Sequence, residues 1–295
     1  MTGKGGVGKS AVAAALARVA ASRGQRVLVC EMDDKGSLAT YLGLDRLSFE
    51  PRAVAPNLAS MAMNTEDSLR EYIRLYLRVP IIGSLAPLAR IFDFVANAAP
   101  AVKEILAIGK LCYEVRENHY DLVIADSEAS GHFVAQVSAP DALAELVRIG
   151  IVADQTQWMS DLLHDHSVST VLAVVTPEEM PVVETIELRE RLARAIPVNF
   201  AGAVINRMPA TMVVGNSRDA EHAAISPEIS DETRAVIEWL SARRVSAEMH
   251  ARMLANAFET AAVDTLSEAP ATNLSPTAIV EHLVGEIARM VGEHV

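Results

Sequence analysis

The chain has 295 residues, is 51% apolar and carries a formal net charge of −12. That composition supports a substantial buried core, and the acidic balance argues against a nucleic-acid surface, which needs clustered Lys and Arg to neutralise phosphates. Two cysteines, Cys30 and Cys112, with no CxxC pair, argue against a disulfide framework or a zinc site of the usual spacing, and for a reducing, cytoplasmic compartment.

The first element is Gly3-Lys4-Gly5-Gly6-Val7-Gly8-Lys9-Ser10, which fits the phosphate-loop pattern GxxxxGK[ST]. Gly3, Gly5, Gly6 and Gly8, with Val7 between them, let successive backbone N–H groups turn inward around phosphate oxygens, at the positive end of a helix starting near Lys9. Lys9 is placed to reach the β- and γ-phosphates of ATP, and the Ser10 hydroxyl to bind Mg²⁺. Such a loop normally follows a buried central strand, and only Met1 and Thr2 precede Gly3. Four or five buried aliphatic residues contribute roughly 6–15 kcal/mol, comparable to the net stability of a typical domain. The expectation is therefore a first central strand that is truncated here, with the natural chain starting upstream.

Helix and strand then alternate, the signature of an α/β fold with a mostly parallel sheet flanked by helices. A helix over Lys9 to Ser22 stops at Gly24. Arg26 to Glu31 reads as a strand buried on both faces. Further strands are expected over Leu58–Met63, Asp121–Asp126, Thr170–Thr176, Asn199–Asn206 and Ala261–Leu266. Helices are expected at about Gly131–Arg148, Met180–Ala195, Asp231–Asn256 and Pro276–Gly292. Residues 65–118 read as a helical insertion, a subdomain within a single phosphate-loop domain over 1–295. Its most apolar part, Val79 to Cys112, is broken by Arg90, Asp93, Lys103, Pro87 and Pro100 and should not span a bilayer. Pro209 to Asp231 reads as a surface loop. His164 and His166 lie two apart in a helical pattern, where they do not share a face; a solvated helix end is expected there, not a metal site.

Ligands of open α/β sheets bind beyond the carboxyl ends of the strands. After the Arg26–Glu31 strand come Asp33, Asp34, Lys35 and Gly36. Asp126 ends a hydrophobic strand, where a carboxylate holds Mg²⁺, commonly through water. Gly131 follows it, and its backbone N–H is free to approach a γ-phosphate and sense ATP against ADP.

The loop GKGGVGKS resembles the deviant Walker A motif of the ParA/MinD/ArsA class of P-loop ATPases. The segments Asp33-Asp34-Lys35-Gly36 and Asp126-Ser127-Glu128-Ala129-Ser130-Gly131-His132 resemble the two switches of the ArsA/guided-entry ATPase family, usually written DPAH and DxAPTGH. Most of the chain, from Gly3 to about Pro270, is covered. The resemblance implies a P-loop NTPase fold with the helical insertion between the two switches. It implies that Lys4 crosses a dimer interface to the other subunit's nucleotide, acting as an arginine finger does, and that Asp33 orients the attacking water. Asn206-Arg207 is similar to the family's VNR element, and the Asn206 amide suits the donor–acceptor edge of adenine; Pro270 is expected in the same base pocket. Thr176-Pro177-Glu178-Glu179 resembles a family loop but is equally explained as a helix start. Asp34-Lys35-Gly36 in place of Pro-Ala-His, and Glu128-Ala129 in place of Ala-Pro, depart from the family pattern.

The implied cofactors are ATP and Mg²⁺, and the implied activity is that of a dimeric ATPase, homodimeric or paired with a related ATPase. A metalloid pump needs clustered thiolates, which two scattered cysteines do not supply unless a dimer combines them. A cluster-binding iron protein needs a cysteine after the second switch, and none follows His132. A MinD-like membrane clamp ends in a basic amphipathic helix, whereas Glu281 to Ile287 is acidic. The protein-handling branch remains, with a hydrophobic client, peripheral membrane association and no nucleic acid. Ile81, Ile82, Leu85, Leu88, Ile91, Phe92 and Phe94 cover too much of a helix for one buried stripe, and await a core, a dimer or a client. The alternative is an ATP-dependent regulatory or scaffold dimer with little or no hydrolysis, or a metalloid-pump subunit.

Overall fold

Residues 1–32, 36–72, 74, 100–127, 130–146, 149, 151–210, 230–259, 261–272 and 274–293 are described by a computed structural model of the protein. In chain order the elements begin α1 (Lys9–Ser22), β1 (Val27–Glu31), α2 (Ser37–Tyr41), β2 (Arg52–Ala55), β3 (Leu58–Ala62), α3 (Thr65–Tyr72), α4 (Pro100–Arg116) and β4 (Leu122–Asp126). They continue α5 (Ser130–Leu146), α6 (Ile151–His164), β5 (Thr170–Val175), α7 (Glu179–Ala195), β6 (Asn199–Met208), α8 (Asp231–Ala257), β7 (Ala262–Ser267) and α9 (Pro276–Glu293).

The strands form two groups, β2-β3-β1-β4 and β5-β6-β7. All pairings are parallel except the edge pair β2·β3. β1 is buried at every residue, and its side chains alternate as the pleat demands. Val27 and Val29 join one core with α1 and α9, while Leu28 and Cys30 join the core on the opposite face with α4 and α5. A third core, with Leu254 of α8 and Phe258 just after it, includes Ala173, Val175, Ala203 and Ile205. The alanines of α1 make it apolar nearly all round because it is enclosed: Ala11, Ala13, Ala14, Ala15 and Ala17 are all buried, between the sheet and α9. Its end is a Schellman cap, with Gly24 N–H donating to Ala21 O and Gln25 N–H to Ala20 O, and Gly24 at φ +90°.

Met1 and Thr2 lie between the two groups of strands. The Met1 amino group donates to Ala125 O at 2.6 Å, and Ser127 N–H donates to Met1 O at 3.1 Å. On the other side Thr2 N–H donates to Leu172 O at 3.0 Å and Val174 N–H to Thr2 O at 2.8 Å. These two residues therefore run parallel to β5 and sit beside β4, and the phosphate loop springs from them.

Every strand expected from the sequence is present within about two residues at each end. Three elements were not anticipated. β2 is a short, largely exposed edge, and such edges carry little hydrophobic signal. α2 is only five residues long. α6 follows α5 closely, where the sequence gives one helix to about Arg148. In the expected insertion, α3 and α4 are helical and are clamped by buried Lys110, which pairs with Glu71 at 2.9 Å and Glu114 at 2.8 Å. The apolar segment from Ile81 to Phe94 and most of the expected loop from Pro209 to Asp231 lie outside the described residues. Among the described residues, no helix is long and apolar enough to cross a membrane.

Candidate functional site: a phosphate loop at the junction of the two strand groups

The loop's shape follows from its glycines. Gly6 at φ +85° and Gly8 at φ +94° occupy the left-handed region, which costs other residues about 1–3 kcal/mol. A side chain at Gly3 would stand 2.1 Å from Val174 O, and one at Gly8 would stand 2.3 Å from Asn206 Nδ2. At Gly5 and Gly6 nothing lies within 4 Å of the same position. The loop is thus packed tightly against the sheet on one side and open on the other, which is the cradle a polyphosphate needs. Lys9 Nζ donates to the carbonyls of Gly3 and Lys4, both at 3.2 Å, so its ammonium lies across the loop's mouth. Gly8 caps α1, and a helix directs its first-turn N–H groups toward an anion in this position. Ser10 is the second residue of α1.

Two carboxylates stand beside the loop at the carboxyl ends of adjacent strands. Glu31 and Asp126 are direct register partners in the β1·β4 pair, and both are buried. Ser127 N–H, bonded to Met1 O, fixes the tip of β4 against the stem of the loop, which puts Asp126 next to the cradle. Met32 N–H donates to Asp126 O at 3.0 Å. Glu31 went unassigned in the sequence, although a carboxylate ending an otherwise apolar strand was the available signal. Its Oε1 accepts Leu38 N–H at 3.2 Å, tying the first turn of α2 back to the sheet.

Opposite these carboxylates, a cavity of about 610 Å³ is lined by Gly8, Asn206, Arg207, Arg243, Glu268 and Pro270, among others. It has an apolar back wall of Ile279 and Leu283 from α9 and Ala11 from α1. Asn206 is buried, and its Nδ2 donates to Val7 O at 2.8 Å, so this amide holds the phosphate loop while facing the cavity. Sequence reasoning assigned Asn206 to a base and missed that clamp, because the partner lies far away in the chain. Arg207 sits at φ +59°, a conformation uncommon for a non-glycine residue. Arg243 forms a two-point ion pair with Glu268, at 2.8 and 3.0 Å, and His282 Nε2 meets Ser267 Oγ at 3.0 Å. Of these groups, Arg243, Glu268 and Ser267 line the cavity.

Lys4 points away from the loop it belongs to. Its Nζ pairs with Glu184 Oε1 of α7 at 2.6 Å, with both side chains about one third exposed. Gly131 is the second residue of α5, exposed, with open space where a Cβ would be. Asp33, Asp34, Lys35, Glu128 and Ala129 lie outside the described residues. Thr176 and Glu178 pair with each other at the start of α7. His164 pairs with Asp141 at 2.9 Å, and His166 with Pro197 O at 3.0 Å, so the two rings serve separate local contacts. Cys30 and Cys112 are both buried. Burial pushes the Cys112 thiol up to about 12. Burial raises Cys30 as well, helped by the nearby Asp126 and Glu31 charges.

Residues 1–155 match the family model described as anion-transporting ATPase. The chain is 27% identical over 247 residues to a Mycobacterium tuberculosis protein named ATPase BagA, covering 80% of this chain and 71% of that one. It is 24% identical over 246 residues to a Babesia bovis protein named ATPase ASNA1 homolog, covering 70% of this chain and 64% of that one. A second protein of that name, from Entamoeba dispar, is 24% identical over 229 residues, covering 64% of this chain and 70% of that one.

Proposed function

Because the chain belongs to the anion-transporting ATPase family, we propose that it binds Mg-ATP in the Gly3–Ser10 loop and hydrolyses it as a dimer. Turnover then switches its conformation on a protein client with apolar surface. The observation that carries this reading is the cradle itself: a loop closed by glycines against Val174 and Asn206 on one side, open at Gly5 and Gly6 on the other, and flanked by the Asp126 tip. In this reading Lys9 leaves the Gly3 and Lys4 carbonyls for the β- and γ-phosphates of the substrate. Ser10 and Asp126 hold the magnesium ion, which supplies charge neutralisation on the phosphate oxygens. Asp33 orients the attacking water, and Gly131 reads the γ-phosphate through its backbone. The cavity at Asn206 and Pro270 takes the base.

Lys4 enters as the residue that reaches a second subunit's nucleotide. Its present partner is no obstacle, since a part-exposed ion pair contributes about 0–1 kcal/mol and exchanges readily. A protein partner is supported by α8, where Trp239, Val245, Met249 and Met253 are exposed large apolar side chains. The last three recur at four-residue spacing along one side of the helix. A thiolate metalloid site finds less support: a ligating cysteine must lose its proton, and burial holds both thiols in the protonated form.

Phosphate release measured for the wild type, Lys9→Ala, Lys4→Ala and Asp33→Asn tests the proposal. Lys9→Ala should lose nucleotide binding. Lys4→Ala should keep binding while turnover falls by roughly 10³-fold, as for other loss of a finger charge. Wild-type turnover no faster than that of the variants would instead leave an ATP-dependent regulatory dimer.

A further inference from the structure

A cavity of about 430 Å³ lies at the carboxyl ends of β1 and β3, bounded by residues of α3, α4 and α5. Ligands of open α/β sheets bind at that end of the strands. The cavity shares no lining residue with the one at Asn206, so it is a second hollow on the same edge. Met32 and Met63, the residues that follow β1 and β3, form a buried apolar wall, and Ala107 of α4 adds to it. Both main chains are fixed there: Met63 N–H donates to Glu31 O at 2.7 Å, and Met32 N–H to Asp126 O at 3.0 Å.

The polar groups of the lining fall into two sets. One set is already engaged. Asn64 Oδ1 accepts Asp67 N–H at 3.0 Å, Ser68 Oγ donates to Asn64 O at 2.7 Å, and Glu66 pairs with Arg70. The other set consists of two acceptors, Glu104 Oε2 of α4 and Gln136 Oε1 of α5, both buried and both without a hydrogen bond. Gln136 as a whole is only 6% exposed. A buried acceptor that lacks a donor weakens the fold, and folded proteins keep few of them. Here two helices bring one each to the same cavity.

The missing partner is therefore a donor, and it needs at least two hydrogens to serve both oxygens. A hydroxyl has one; a primary ammonium has three. The carboxylate of Glu104 also favours a cationic donor, whose hydrogen bonds are roughly twice as strong as neutral ones. The terminal torsions of Glu and Gln side chains are broad, so both oxygens can turn to one donor without moving the backbone. Lys103 is exposed on the same cavity and opposes a second positive charge at the ligand's outer end. We propose that this cavity binds a small primary amine. Its ammonium donates to Glu104 and Gln136, and its short aliphatic stem lies on Met32, Met63 and Ala107. Its outer end, toward Lys103, is neutral or anionic.

The full chain is titrated with n-butylamine, which is protonated near pH 7, and with butan-1-ol as the neutral counterpart. The methyl resonances of Met32 and Met63 report binding by NMR. The amine should shift both saturably, and the alcohol should bind roughly 10-fold or more weakly. Glu104→Gln and Gln136→Met stay close to the native shapes, and each should weaken amine binding by roughly 10-fold or more. Thermal unfolding checks that each variant folds; if Gln136→Met does not, Glu104→Gln decides alone. No saturable shift would overturn the proposal and leave water as the partner of both oxygens. Equal affinity for amine and alcohol would overturn it in favour of a merely apolar hollow. Unchanged amine affinity in the folded variants would also overturn it, placing the amine elsewhere on the acidic surface. None of these readouts depends on nucleotide binding or turnover.

Discussion

The two groups of strands follow the same packing rules inside, and meet each other by quite different means. Within them the ladders are continuous: β1 pairs with β4 from Val27 to Glu31, and β5 with β6 from Thr170 to Val175. Between them, among the described residues, the backbone connection is the short stretch Met1–Thr2. The rest of the union comes from α1 and α9, whose core reaches Val27, Val29 and Ile124 in one group and Val174, Val204 and Leu266 in the other. The phosphate loop thus rises from the line between the two groups, and is held by side-chain packing and by Asn206. Its two sides are also chemically divided. The β1·β4 side carries the carboxylates Glu31 and Asp126, and the β5-β6-β7 side carries the Asn206 amide, Arg207, the Arg243–Glu268 pair and the apolar cavity.

The sharpest way to separate junction from interior is a pair of glycine substitutions. At Gly3 a Cβ would meet Val174 O at 2.1 Å, and at Gly202 it would meet Ala262 O at 2.0 Å, with φ at +146° and +152°. Each substitution to Ala should cost about 3 kcal/mol or more of unfolding free energy, measured in urea. Only Gly3→Ala should also abolish nucleotide binding at temperatures where the protein stays folded. Equal loss of binding in both would erase the distinction.

The next effect is one of pH. In the unfolded chain the Met1 amine titrates near 8.0, and in the fold near 6. Between those values the unfolded state holds a proton that the folded state lacks, so stability rises with pH across that window. Stability that is fully present above pH 8 is progressively lost down to pH 6. Two units correspond to about 2–3 kcal/mol. Denaturation of the amine-acetylated protein should lack this slope; a slope that survives acetylation points to another group.

Asn206→Ala removes the donor to Val7 O from a buried site and should destabilise by about 1–3 kcal/mol, with weaker ATP binding in titration. Unchanged affinity would mean that packing alone holds the loop. The smallest effect is expected at Glu184→Gln, on the part-exposed Lys4 pair: a stability change within about 1 kcal/mol by thermal unfolding. A larger loss would make that ion pair part of the framework.

Much of this was legible in the chain. The α1 helix was readable to its last residue because both of its ends are chemical signals, Gly8 before Lys9 and Gly24 after Ser22. β1 and β4 were readable because burial on both faces leaves consecutive apolar residues. The positions of Lys9 and Ser10 at the start of α1 and of Asp126 at the end of β4 were readable because motif spacing and strand pattern are both local. Glu31 and the clamp by Asn206 were not. Glu31 accepts from Leu38, seven positions away, and Asn206 reaches a carbonyl 199 positions away, and neither contact leaves a local period. β2 and α2 were too short for a period to emerge.

The sequence by itself determined the local grammar: which segments are strands or helices, and which loop can wrap a phosphate. Those depend on backbone sterics and side-chain periodicity, which act over a few residues. Only the tertiary structure decided that Met1 and Thr2 stand between the two strand groups and that Lys4 rests on Glu184. Each of these depends on edges and faces brought together from distant parts of the chain, which no local pattern records.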